Sequence, residues 1–348
     1  MKASVYHGPR DIRVEDVPDA TLRDATDAVV RVTHACICGS DLWPYRGQIE
    51  IYGRPGRTGH EFMGVIEAVG ADVATLKVGD MVLSPFAFSD GKCAFCAEGL
   101  TTSCENVGYW GGVNDGGQGE AVRVPFADAT LVALPKDVDL SDDVLARRMA
   151  PLTDVLCTGH HAAVSAGVGP GSTAVVIGDG AVGLCAVMAA KRLGAERIIA
   201  IGHHTDRLAI ATTFGATDVV SGDDKAAVAH VMEATGSGAR SVLECVGTDS
   251  SLNLAIAAAR PGGTIGYVGV PYGNEVNRME MYGKNVSVVG GVAPARTYMP
   301  ELLADVLAGK LDPSPVMDNV VSLDEVLDGY KAMDERRSVK TLINVSTP

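Results

Sequence analysis

The sequence predicts an α/β protein of two domains: a β-rich, barrel-type domain and a doubly wound parallel sheet. Three observations predict it. At one domain per ~150 residues, a chain of 348 suggests two. Up to about residue 150, short β-rich runs are broken by Gly and Pro, whereas from about 155 to 292 apolar strands alternate with helical patterns. A glycine turn, Gly178 to Gly183, stands where the first of those strands runs into a helix.

In the first stretch, Ala28–Ala35, Gly64–Val69 and Asp80–Ser84 read as strands, separated by loop-rich segments, notably 84–119. In the second, strands are expected at Thr173–Ile177, Arg197–Ile201, Asp218–Val220, Val242–Val246 and Thr264–Val268. Helices between them are expected near Ala181–Leu193, Arg207–Phe214, Ala226–Ala234 and Leu252–Ala259. Near-continuous Val/Ile strands joined by helices describe a parallel sheet covered on both faces. Helices near Pro300–Ala308 and Leu323–Met333 and a strand at Thr341–Val345 complete the first domain. The expected division is therefore 1–154 with 293–348, and 155–292.

Composition narrows the function. Asp plus Glu number 43 against 29 Lys plus Arg, a formal charge of −14, and no basic block is present. Such a chain is a poor partner for nucleic acid, where phosphate neutralisation dominates affinity. No uncharged apolar run reaches the ~18–20 residues of a membrane span. The first residues lack the apolar core of a secretory signal, so a cytoplasmic protein is expected. Eight Cys in a chain of this length then read as thiols or metal ligands instead of a disulfide framework.

The glycine turn is Gly178-Asp179-Gly180-Ala181-Val182-Gly183. Gly178 permits the tight turn, Gly180 lets the backbone approach a pyrophosphate, and Gly183 allows close helix–sheet packing. The amides around Ala181 and Val182 open the helix and offer positive potential to phosphates. The ends of the later strands, at Val246, Gly269 and Val270, are expected to face the same dinucleotide. In an NAD site an acid at the end of the second strand holds the adenosine ribose. Here that position is Gly202, followed by His203, His204 and Arg207. A carboxylate would repel a 2′-phosphate; its absence beside these basic residues predicts NADP(H) over NAD(H).

Two metal sites suggest themselves. Cys93 and Cys96 have C-x₂-C spacing, Cys104 can fold back as a third ligand, and Asp90 precedes Cys93 by the same three-residue step. Four protein ligands would close the site and make it structural. The second set is dispersed: Cys38, Ser40 and Asp41, then His60 and Glu61, then Asp154. Spacing alone does not separate Cys38 from Cys36, which points to the same strand face.

Taken together, ICGSD at Ile37–Asp41, GHE at Gly59–Glu61, the 90–104 lobe, GGQGEAVRVP at Gly116–Pro125, PLTD at Pro151–Asp154, the glycine turn and KTLINV from Lys340 resemble the zinc-dependent medium-chain alcohol dehydrogenases. The resemblance runs over nearly the whole chain. It implies a GroES-like catalytic domain interrupted by a Rossmann domain, and a dimer or tetramer. It assigns Cys38, His60 and Asp154 to the catalytic zinc, Glu61 to a neighbouring or transient role, and Asp41 to orienting the ligand His. Asp90, Cys93, Cys96 and Cys104 match the structural zinc lobe, with Asp90 where members usually carry Cys. Asp154 likewise stands where many members have Cys; bacterial secondary-alcohol dehydrogenases resemble this chain in having Asp. Ser40 matches the hydroxyl that starts the proton relay, Trp43 replaces a relay His, and Trp43 and Trp110 are expected to wall the substrate pocket. Lys340 resembles a basic residue that reaches the cofactor pyrophosphate. The implied reaction is reversible oxidation of a small to medium alcohol to a ketone or aldehyde. Polyol or amino-alcohol oxidation, and a non-catalytic NADP(H)-binding sensor, are the rival readings.

Overall fold

The computed structural model describes residues 1–49, 56–112, 114–139, 141–273 and 275–346. The chain divides into two compact units, Met1–Asp154 with Pro294–Pro348, and Val155–Ala293.

In the first unit, seven strands form one sheet. The order is Val132–Ala133, Met81–Ser84, Glu61–Val69, Ala28–Ile37, Thr341–Asn344 and Asn319–Ser322, with Ala121–Val124 also on Ala28–Ile37. Ala28–Ile37 (AVVRVTHACI) is rich in β-branched residues and buried at all but one position, which suits a central strand. Its side chains Val30, Val32 and Ile37 meet Phe62, Ile66, Val82, Val122 and Ile343 in one core. Two bulges, at Val29/Val30 and Val32/His34, bend the ladder toward barrel curvature. The C-terminal strand pairs Thr341 with Ile37, so residues from opposite ends of the chain share the centre of this sheet.

The second unit is a six-stranded parallel sheet. Its order is Asp218–Ser221, Arg197–Gly202, Thr173–Ile177, Ala239–Glu244, Ala259–Tyr267 and Ser287–Gly290. The inner strands carry Val175, Ile177, Ile199, Ile201, Val242 and Ile265 into a continuous core. Chain order reverses at Thr173–Ile177, which lies between the second strand and the fourth. That reversal opens a crevice at the strands' carboxyl ends, where doubly wound sheets bind ligands. The glycine turn leaves the sheet at this point.

Strand and helix boundaries shift by a few residues from the sequence reading, as where the strand expected at Val242–Val246 spans Ala239–Glu244, and two departures are larger. The helix expected from Pro300 begins at Ala295 and runs to Leu307 with the proline inside it. Ala295, Met299, Leu302, Leu303 and Val306 form a buried stripe, so packing outweighs the one hydrogen bond that proline forfeits. The sixth strand, Ser287–Gly290, is exposed at all four positions and so leaves no buried apolar run in the sequence.

Candidate metal centres and dinucleotide cradle

The dispersed set assembles within the first unit. Antiparallel pairing sets Cys36 opposite Glu61, which brings His60 level with the end of the Ala28–Ile37 strand. Cys38 follows that strand end. A short helical turn, Ala150–Thr153, delivers Asp154. One ligand atom from each of Cys38, His60, Glu61 and Asp154 lies within 4.8 Å of all the others. The choice left open by spacing is thereby made: Cys38 belongs to the cluster, and Cys36 is buried in the ladder.

The distances fit a tetrahedral ion. Cys38 Sγ and His60 Nε2 each lie 3.4 Å from Asp154 Oδ2. Bonds of ~2.0–2.3 Å to zinc give ligand–ligand edges of about 3.3–3.8 Å. Glu61 Oε1 is farther from His60 Nε2, at 3.9 Å. Asp41 ties the site together: Oδ2 accepts from the Cys38 amide at 2.9 Å, and Oδ1 is 3.3 Å from His60 Nδ1. His60 thus turns Nε2 toward the cluster, with its other nitrogen held by a carboxylate. Burial alone would lower the His60 pKa, but Asp41, the Cys38 sulfur and Asp154 outweigh it and hold it well above its ordinary value. Two carboxylates, a thiol and a half-buried imidazole converge as a donor set for a cation.

Lys340 is 1% exposed, with Nζ 2.6 Å from Glu61 Oε1 and 3.3 Å from the Ile37 carbonyl. The Thr341–Ile37 pairing forces this, since it puts the preceding residue inside the sheet. Burial opposes the charge on Lys340, but the Glu61 carboxylate raises its pKa above the ordinary lysine value.

Trp110 is 4% exposed, packs on Phe62 and Phe88 and donates its indole N–H to the Pro85 carbonyl at 2.8 Å, and it also lines the cavity that Ser40 and His60 line. Trp43 is half-buried on the Leu42–Tyr45 turn. Ser40 lines a cavity of about 210 Å³ with Asp41, His60, Arg57 and Tyr330. The aromatic ring against His60 is Phe86, at 6.4 Å and near-perpendicular, and Tyr109 stacks on Phe86. Sequence reasoning missed both; their position in the loop between the metal motifs was the one available signal.

Asp90, Cys93, Cys96 and Cys104 also converge, one ligand atom from each within 4.8 Å of the rest. The Ala94–Ala97 turn sets Cys93 and Cys96 on one side, and the Asp90 and Asn106 amides both donate to Cys104 Sγ at 3.3 Å. Asp90 accepts from Asn106 Nδ2 at 2.8 Å and from the Lys92 amide at 2.8 Å, which holds its carboxyl far below the usual range. Burial and the neighbouring thiols push Cys96 up to about 12. Three sulfurs and one carboxylate form a donor set suited to zinc, closed to substrate.

In the second unit, Gly178 has φ +115°, and a Cβ there would meet Val246 Cγ2 at 2.9 Å. A Cβ on Gly183 would meet the Gly178 carbonyl at 1.9 Å, so helix and turn approach as closely as glycine permits. Above Gly180 nothing lies within 4 Å, which leaves room over the amides of Ala181, Val182 and Gly183 for a pyrophosphate. Val246 and Val270 are exposed at the ends of their strands, and Gly269 packs against the Gly247 amide. His203 and His204 follow Gly202, and Arg207 lies in the first turn of the Thr205–Phe214 helix. The strand-end position itself, Gly202, carries no acid, but the Asp179 carboxylate folds over from the glycine turn and accepts from the His203 and His204 amides.

Comparison with known proteins agrees with this geometry. Residues 24–136 match the alcohol dehydrogenase GroES-like domain, and residues 181–308 the zinc-binding dehydrogenase family. An uncharacterised zinc-type alcohol dehydrogenase-like protein of Bacillus subtilis is 34% identical over 97% of each chain. The alcohol dehydrogenase TADH of Thermus sp. ATN1 superposes with a TM-score of 0.91 at 33% identity, over 99% of this chain and 100% of that one. A chain from Sinorhizobium meliloti solved with NADP bound has a TM-score of 0.82 at 25% identity, over 99% of this chain and 98% of that one. The chain belongs to the zinc-dependent medium-chain dehydrogenases, as an alcohol dehydrogenase-like oxidoreductase.

Proposed function

We propose that the protein transfers a hydride reversibly between a small to medium alcohol, primary or secondary, and a nicotinamide dinucleotide. The observation that carries this is the Cys38–His60–Asp154 donor set, spaced for one tetrahedral ion beside the Ser40 hydroxyl. These three residues would hold zinc, which would supply Lewis-acid polarisation of a substrate oxygen. Asp41 fixes the His60 ring, and Lys340 restrains Glu61. Ser40 accepts the substrate hydroxyl proton and passes it on. Trp43, where relatives carry a relay His, has no basic nitrogen, so it does not take the proton on from Ser40.

Phe86 and Tyr109 beside the ligands favour an apolar substrate over a polyol or amino alcohol. A non-catalytic sensor has no need of the complete ligand set and Ser40. For NADP(H), support remains in His203, His204, Arg207 and the NADP-bound relative; for NAD(H), it lies in Asp179. The Ser287–Gly290 edge strand, with Val288 and Val289 exposed, supports assembly into a homodimer or homotetramer. No helix among the described residues is long and apolar enough to cross a membrane. Eight free cysteines support a reducing compartment, hence the cytoplasm.

The test is a screen of alcohols and ketones with both cofactors on zinc-replete protein, read by nicotinamide absorbance. Turnover of simple secondary alcohols is expected. No turnover of any alcohol or ketone would overturn the reading in favour of the sensor.

A further inference from the structure

The acid that the second strand lacks is supplied from the glycine turn. A Cβ on Gly202 would stand 2.6 Å from Asp179 Cβ, 2.7 Å from Oδ2 and 2.9 Å from Cγ. With Asp179 present, position 202 is closed to any side chain. The Asp179 carboxylate lies where the side chain of an acidic residue at 202 would begin.

It is also fixed there. Oδ2 accepts from the His203 amide at 2.7 Å, the His204 amide at 2.8 Å and His204 Nδ1 at 2.9 Å. The side chain is 10% exposed. Burial works against its charge, but the His204 amide and ring and the His203 amide outweigh it and hold the carboxyl below its ordinary range. Three donors converge on a single oxygen.

Two consequences bear on a bound dinucleotide. An ionised carboxylate at this strand end accepts from a ribose hydroxyl and repels a phosphate on it. The backbone amides of His203 and His204, natural partners for such a phosphate, are already engaged. We propose that Asp179 is the residue that sets cofactor preference: it stands in for the missing strand-end acid, disfavours the 2′-phosphate of NADP(H) and biases the site toward NAD(H), against the pull of His203 and Arg207. This rests on the dinucleotide reading above and reverses the preference expected from sequence.

The test is calorimetric titration of full-length, zinc-loaded protein with 5′-AMP and 2′,5′-ADP, which differ only in the 2′-phosphate. Wild type is expected to bind 2′,5′-ADP no more tightly than 5′-AMP. Asp179→Asn keeps an acceptor for the amides and loses the charge. It should raise the affinity ratio toward 2′,5′-ADP by about tenfold or more. The kcat/KM ratio of NADP(H) to NAD(H) should move in the same direction through KM, with kcat little altered. Asp179→Gly combined with Gly202→Asp returns the carboxylate to the strand and should restore the wild-type ratio. An unchanged ratio in Asp179→Asn would overturn the proposal. So would a wild type that binds 2′,5′-ADP more than about tenfold tighter than 5′-AMP, a result that needs no variant to fold. Failure of both fragments and both dinucleotides to bind would remove the dinucleotide reading itself and this proposal with it.

Discussion

Replacing Lys340 by Met isolates the innermost ion pair. Lys340 and Glu61 are 1% and 0% exposed and 2.6 Å apart, and Lys340 also serves the Ile37 carbonyl. Glu61 Oε2 has no hydrogen-bond partner. Methionine keeps most of the apolar stem, so the loss is electrostatic. Removing one partner of a buried pair costs about 3–5 kcal/mol, and an unserved carbonyl adds about 1 kcal/mol. Against a typical domain stability of ~5–15 kcal/mol, chelated Lys340→Met should lose about a quarter or more of the first unit's stability. A zinc ion beside Glu61 takes over part of the compensating charge, so the loss should shrink in zinc-replete protein. Glu61→Gln/Lys340→Met leaves no unpaired charge and should recover most of it. Urea titration of chelated and zinc-loaded samples checks the order, with each unit's transition followed separately because the two need not unfold together. A loss below about 1 kcal/mol in the chelated single variant, within the range of an exposed pair, would refute the reasoning. A double variant no more stable than the single would do the same.

Elemental analysis should find two zinc ions per chain. Cys38→Ser and Asp154→Ala should each lose one of them and lower turnover about a thousandfold or more, with dinucleotide binding intact; near-normal rates would remove that residue from the ligand set. Cys104→Ser should lose the other ion, keep the first and melt earlier. Gly180→Ala, with open space above it, should fold normally and raise KM for the dinucleotide, whereas Gly183→Ala, with its Cβ 1.9 Å from a carbonyl, should also lose about 1–3 kcal/mol; equal melting of the two in differential scanning would count against the packing argument. Asp27 is buried, which pushes its carboxyl up, but the Arg123 fork and the Arg23 and Asp24 amides outweigh burial and hold it below the usual value. Its folded pKa being the lower one, its contribution is complete above the unfolded value of ~3.9 and fades as pH falls below it. Asp27→Asn should flatten that part of the acid-denaturation curve, and an unchanged slope below about pH 4 would contradict it.

The parallel sheet was the more legible half of the fold. Strands buried on both faces leave near-continuous runs such as Thr173–Ile177, and glycines mark the turn beyond. Where tertiary packing decides, local pattern misleads: the buried stripe from Ala295 to Val306 carries a helix through Pro300. In the metal site the ligand types were visible but their selection was not. Cys36 and Cys38 differ only in register, and the Cys36–Glu61 pairing that separates them is a contact between distant segments. The depth of Lys340 and Trp110 was not legible, because composition gives charge and size without burial. The role of Asp179 was not legible, because its partners lie more than twenty residues away at the next strand's end.

The first unit is discontinuous, and its central sheet places Thr341–Asn344 between Ala28–Ile37 and Asn319–Ser322. During vectorial synthesis the inserted unit, Val155–Ala293, is complete and can fold while the N-terminal strands still lack a neighbour. The cation that neutralises Glu61 is made 279 residues after it, so Glu61 waits for its partner while the whole inserted unit is synthesised. A nascent chain stalled before Lys340 should therefore carry a protease-resistant insert beside an N-terminal segment that is still cleavable.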